Sequence, residues 1–126
     1  VSLKYSTSNG RTGHSSDHPV AWQYTQRGLP MIVVAETEIW RKVRDVNGDE
    51  TWMKRRLLDG TRMALVRSEL SLRAKPRSDS KKIATAGKGA LLRLETCENG
   101  WCRVTDTQKN NAGYALQTLL WGAEPL

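Results

Sequence analysis

Two cysteines stand five positions apart in the segment TCENGWCRV, residues 96–104, and the chain has no others. A pair at this spacing could ligate a metal, act as a redox or nucleophilic centre, or form a covalent clasp across a turn. A structural zinc site needs four ligands, typically including a closely spaced cysteine pair, and no further cysteine is available. A thioredoxin-like centre sets its cysteines two residues apart at a helix N-terminus. Asn99-Gly100 points instead to a tight hairpin turn with both central residues at positive φ. Glu98 and Trp101 then close the turn as a hydrogen-bonded pair. Cys97 and Cys102 face each other as the next pair, with Cα atoms about 4.5 Å apart, near the short end of the disulfide range. Free thiols and a metal site stay open as alternatives. A disulfide would contribute about 2 kcal/mol through so short a loop and would belong outside the cytosol.

The segment GHSSDH, residues 13–18, holds both histidines with two serines and an aspartate. His14 and His18 have the spacing of ligands on one helix face, but Gly13 and Pro19 make the segment a loop. A nucleophilic triad needs an oriented base and an oxyanion hole assembled from separate elements, and nothing else in the chain supplies them. The segment reads as a polar connecting loop, with no catalysis, metal or cofactor expected. Among the aromatic residues, Trp40 and Trp101 stand beside turns and read as structural. Trp52, Tyr114 and Trp121 are the candidate ligand-binding residues, since small β-barrels bind through exposed aromatics beside loops. Trp22 and Tyr24 have no strict counterpart elsewhere in the chain.

The elements that must position these residues come in two copies. At an offset of about 61–63 residues, Gly28 matches Gly89, WRKV at 40–43 matches WCRV at 101–104, TWM at 51–53 matches GYA at 113–115, and the Leu pair 57–58 matches 119–120. GRTGHSSD at 10–17 loosely matches LRAKPRSD at 72–79. Self-similarity at a fixed period marks a duplicated unit, here of about 60 residues. Each copy alternates short runs of Val, Ile, Leu, Thr and Trp with Gly, Asn, Asp and Ser, the pattern of small barrels and sandwiches. Asn47-Gly48 predicts a type I′ hairpin that sets Val43 opposite Trp52, with Val104 and Tyr114 in the same relation. In the cysteine slot the first copy has Glu36 and Arg41, an opposite-charge cross-strand pair. The expected organisation is all-β: two tandem barrels, residues 1–66 and 67–126, joined with little linker because 61–70 reads as strand.

With 126 residues, 38% of them apolar and five Trp, the chain has the material for one ordinary folded domain or two very small ones. No apolar run approaches the roughly 20 residues that span a bilayer. The net charge of +7 favours acidic partners, yet it is spread along the chain, the pattern of a solvated surface more than of a nucleic-acid footprint.

Taken in order, VSLK, HPVAWQY, RGLPMIVV, WRKVRD, TWMKRRLL, CENGWCRV and LLWG resemble the bacterial SH3-like domains, in the tandem form of alphaproteobacterial envelope or secreted proteins. The resemblance covers about residues 1–122. It implies a strongly bent five- or six-stranded barrel per unit, no catalysis, export from the cytosol with a signal peptide no longer present, and contact with cell-wall peptide, glycan or an envelope protein. The acidic Ala-Leu-Tyr-Asp-Tyr type of segment that grips proline-rich helices is absent. The expected function is therefore a non-catalytic binding module of the cell envelope. The alternative is a polyanion or nucleic-acid binder that uses the basic surface and its aromatics.

Overall fold

In the computed structural model, which describes residues 1–123, the chain divides into two compact units, the first Val1–Thr61 and the second beginning at Arg62. Residues 124–126, the expected end of the second barrel, lie outside the described residues.

The first unit runs β1 (Ser2–Leu3), β2 (Ser8–Arg11), β3 (Val20–Tyr24), β4 (Ile32–Glu36), β5 (Trp40–Arg44), β6 (Glu50–Lys54), a 3-10 turn (Arg55–Leu57) and β7 (Leu58–Asp59). Its strands form an antiparallel sheet in the order β3-β2-β6-β5-β4 and a small β1-β7 sheet. The second unit repeats the plan with β8 (Met63–Val66), β9 (Leu70–Arg73), β10 (Lys82–Ala86), β11 (Leu91–Glu98), β12 (Trp101–Asp106), β13 (Asn111–Leu116), a 3-10 turn (Gln117–Leu119) and β14 (Leu120–Trp121). Here all seven strands join in one curled sheet, β10-β9-β13-β12-β11-β8-β14. The strand Met63–Val66, which an expected boundary at 66/67 puts in the first barrel, pairs with β11 and β14 of the second unit.

The backbone bonds establish the equivalence of the copies. Gly28 N–H donates to Leu3 O as Gly89 N–H does to Val66 O, and Arg55 N–H to Ile39 O as Gln117 N–H does to Gly100 O. Each copy also carries a bulge at the same place, between Val33 and Ala35 in β4 and between Leu94 and Cys97 in β11. An extra residue on one strand bends the sheet and steepens its twist, which is how so short a sheet curls over a core.

The two hairpins following β5 and β12 depart from the expected register. Gly48 is at φ 87° while Asn47 is not at positive φ, and Gly48 N–H bonds to Asp45 O. The turn is therefore not type I′. The cause is Asp45, whose carboxylate accepts from the backbone N–H of Asn47 and of Asp49 and so holds a right-handed turn followed by one left-handed glycine. The added loop residue moves the pairing by one position. Val43 faces Thr51 and Lys42 faces Trp52; Val104 faces Gly113 and Arg103 faces Tyr114. A one-residue shift sends alternate side chains to opposite faces: Thr51 and Met53 turn inward while Trp52 is only half-buried. In the second copy, Asp106 caps Gln108 and Lys109 in the same manner, and Asn110 takes the left-handed position at φ 56°.

The cores differ in kind. That of the second unit is aliphatic, with Leu70, Leu72, Leu92, Leu94, Val104 and Leu120 among its buried residues. The first unit packs Leu3, Tyr24, Met31, Val43 and Met53. It also buries a polar cluster, in which the Tyr24 hydroxyl lies 2.9 Å from an Asp45 carboxylate oxygen and 3.3 Å from Thr51 Oγ1. Loss of solvation is the main cause that pushes the Tyr24 phenol up to about 12.

Candidate functional site

Cys97 and Cys102 are bonded to each other, with Cα atoms 4.0 Å apart. Their strands pair Cys97 with Cys102 and Glu98 with Trp101, across a turn in which Asn99 (φ 53°) and Gly100 (φ 83°) both adopt positive φ. This is the hairpin expected from the sequence, and it removes the metal and free-thiol alternatives. In the equivalent slot of the first unit Glu36 faces Arg41, with Arg41 Nε 3.1 Å from the carboxylate.

The GHSSDH segment serves its own loop. His18 Nδ1 and the Asp17 N–H both meet the Ser15 hydroxyl, and Gly13 lies against the His18 ring. His14 packs on Trp52, ring centroids 5.1 Å apart. The loop is anchored by Arg11, whose guanidinium donates to the His18 carbonyl at 2.9 Å. The second unit repeats the anchor: Arg73 donates to the Ser80 carbonyl at 3.1 Å.

Beneath each anchored loop lies a cleft, and the two occupy equivalent places. In the first unit the cleft holds about 190 Å³ and is lined by Arg11, Ser16, Trp40 and Leu57, with Ser8, Lys54 and Arg56 adding polar groups. In the second it holds about 200 Å³ and is lined by Arg73, Ser78, Trp101 and Leu119, with Leu70 and Leu116 beside them. An Arg, a Ser, a Trp and a Leu thus recur at matching positions. A third hollow, about 410 Å³, opens on the other side of Trp101, between Pro76 of the anchored loop and the Glu98–Asn99 turn, with Tyr114 at its wall.

Of the three aromatics singled out in the sequence, Tyr114 lines that third hollow, beside the Arg103 guanidinium 5.6 Å from its ring. Trp52 is half-buried and gives a face to His14. Trp121 is 8% exposed, paired in β14 against Leu65, and so is not an exposed aromatic; it is a core-side residue. Trp40 and Trp101, read from the sequence as structural, are the aromatics that line the clefts. The pairs Arg11/Arg73 and Ser16/Ser78 were the available signal, since both are retained across the loosely matched loop segments. Among the described residues, no helix is long and apolar enough to cross a membrane.

A family model described as the bacterial SH3 domain matches residues 4–60 and again residues 66–122. No curated protein matches the chain. Among solved structures, two similar chains come from Trichomonas vaginalis. One is NlpC2, at 13% identity and a TM-score of 0.45, with 96% of this chain and 44% of that one covered. The other is NlpC1, at 12% identity and a TM-score of 0.44, with 95% and 45% covered. This chain spans less than half the length of either.

Proposed function

The chain belongs to the bacterial SH3 domain family, carrying two copies in tandem, and from that premise we propose that it is a non-catalytic binding module of the bacterial cell envelope. Its place is the periplasm or the exterior, and its partner is peptidoglycan or an envelope protein. The observation that carries this reading is the retained cleft. Arg, Ser, Trp and Leu line the same concave place in both units, while the cores behind them differ. A surface feature kept through a duplication whose interior has been rebuilt is better explained by a ligand than by packing. The Cys97–Cys102 bond supports an oxidising compartment, and SH3 domains of this kind are binding modules.

Co-sedimentation with purified sacculi tests the proposal. At an ionic strength high enough to screen surface charge, protein should pellet with the wall, and Trp101→Ala should reduce the pelleted fraction. Protein left wholly in the supernatant would remove the wall partner and leave the envelope-protein version, tested by pull-down from envelope extract. The polyanion reading is favoured by the basic residues Arg11, Lys54 and Arg56 around the first cleft. It requires affinity for oligonucleotides that falls steeply with log salt; salt-independent or absent binding eliminates it.

A further inference from the structure

The two clefts share their frame, but their chemistry has diverged in a concerted way. In the first unit three cations, Arg11, Lys54 and Arg56, line the hollow, and no acidic residue lines it. The Lys54 ammonium is held 5.9 Å from the Trp40 ring centroid, its cross-strand neighbour. Ser8 also lines the cleft; it is only 3% exposed, and its hydroxyl is buried without a hydrogen-bond partner. A buried hydroxyl that meets nothing is a standing cost to the fold, and such groups call for an explanation. In the second unit the position of Ser8 is Leu70, that of Lys54 is Leu116, and Glu69 stands with Arg73 on the lining. The unpartnered donor and the added cation are thus lost together.

We propose that the first unit's cleft is a subsite for the terminal carboxylate of a short peptide, and that the second unit's cleft has become its apolar, charge-balanced counterpart. The inference rests on reading the clefts as binding sites, and it names the chemical group that the first one takes. A carboxylate accepts several charge-assisted hydrogen bonds at once, which the Ser8 hydroxyl and the guanidinium and ammonium groups can supply. The volume, about 190 Å³, is below that of a site that engulfs a whole drug-sized ligand; it suits one chain end. Trp40 and Leu57 give the aliphatic side chain next to a peptide carboxylate something to pack on, whereas inorganic phosphate has no use for such a wall. This contrast selects the peptide terminus over a bare oxyanion.

The test is a titration of the whole chain, at fixed ionic strength, followed through its backbone amide and indole NMR signals. The probes are N-acetyl-alanyl-alanine, the same dipeptide as its C-terminal amide, and inorganic phosphate. The carboxylate form should move the signals of Ser8, Asn9 and Trp40 saturably, leave those of Ser71 and Trp101 still, and bind more tightly than either other probe. Ser8→Ala and Lys54→Leu, which replace the two groups absent from the second unit, should each weaken it by about tenfold, with the unshifted spectrum of each variant reporting an intact fold. Equal response to the amide, equal response in both units, or no saturation overturns the proposal; tighter binding of phosphate overturns the carboxylate assignment. The result is separable from the wall reading. Sacculi that pellet an unresponsive protein sink the subsite alone, and a responsive protein that ignores sacculi sinks the wall partner alone.

Discussion

Reducing the Cys97–Cys102 bond should destabilise the second unit and leave the first unchanged. The bond closes a loop with a sequence separation of five. Chain-entropy reasoning for so short a loop gives about 2 kcal/mol. For a unit of about 60 residues, each kcal/mol moves the midpoint by roughly 4–8 °C, so the second transition should fall by about 8–16 °C. Reduction is a cleaner perturbation than substitution because Cys102 is fully buried in the aliphatic core, where truncation to Ala would add a cavity of its own. The first unit supplies the control, for its equivalent clasp is ionic. Glu36 is 64% exposed at the side chain, and exposed ion pairs contribute about 0–1 kcal/mol; Glu36→Gln should therefore shift the first transition by at most about 8 °C, less than reduction shifts the second. Scanning calorimetry with and without a phosphine reductant, with intact mass confirming the gain of two hydrogens, reads both. If reduction moves neither transition, or moves that of the first unit, the bond does not act as a clasp on its own hairpin and the reasoning fails.

Other consequences follow from the interior of the first unit. Ser8→Ala should leave stability unchanged or raise it by about 1 kcal/mol, because it deletes a buried hydroxyl with no partner; a loss in chemical denaturation would mean that the hydroxyl supports the fold. Gly10→Ala should destabilise by about 1–3 kcal/mol, since the new Cβ would meet the Thr51 side chain and Tyr24 Cε2; an unchanged denaturation midpoint would contradict that close approach. The Tyr24 phenol, raised to about 12 in the fold from an ordinary value of 10.0, contributes stability that is complete below pH 10 and lost as pH climbs through about 12. Tyr24→Phe should flatten the first unit's denaturation midpoint across that range, and an equally steep decline in the variant would place the sensitivity elsewhere.

The duplication and the cysteine clasp were legible because each rests on local chemistry that repeats: glycines where φ must be positive, aromatics at strand starts, and Asn-Gly at a two-residue turn. The same Asn-Gly rule failed at residues 47–48, where the side chain of Asp45, two positions earlier, bonds to the loop backbone and selects another turn. The resulting one-residue shift changed which face Trp52 and Tyr114 occupy relative to Val43 and Val104. The clefts were not legible as sites, because Arg11, Ser16, Trp40 and Leu57 are scattered along the first unit and converge only once the strands are paired. Trp121 read as an open aromatic for want of the pairing with Leu65 that buries it.

The duplicated frame also separates what the fold requires from what it tolerates. Gly10, Tyr24 and Thr51 occupy places that the second unit fills with Leu72, Ala86 and Gly113, as the registers of β2 with β3, β9 with β10, β5 with β6 and β12 with β13 show. Large and small residues have changed places: the Tyr24 ring lies against Gly10, whereas Leu72 is paired with Ala84 and has Gly113 close to its Cβ. The exchanges offset one another in size only in part, since Gly10 gives way to Leu72 while Tyr24 gives way to Ala86 and Thr51 to Gly113. Nor do they conserve polarity, for the first unit has the Tyr24 phenol and the Thr51 and Ser8 hydroxyls inside where the second has Ala86, Gly113 and Leu70, while the buried carboxylate is kept in both as Asp45 and Asp106. Dense packing alone would favour the second solution in both units. That the first retains an orphaned hydroxyl under a cationic cleft, while the second takes a leucine and a covalent clasp, argues that the copies are under different demands. Under the carboxylate proposal, the first unit keeps its polar groups at the price of some stability because a ligand would use them.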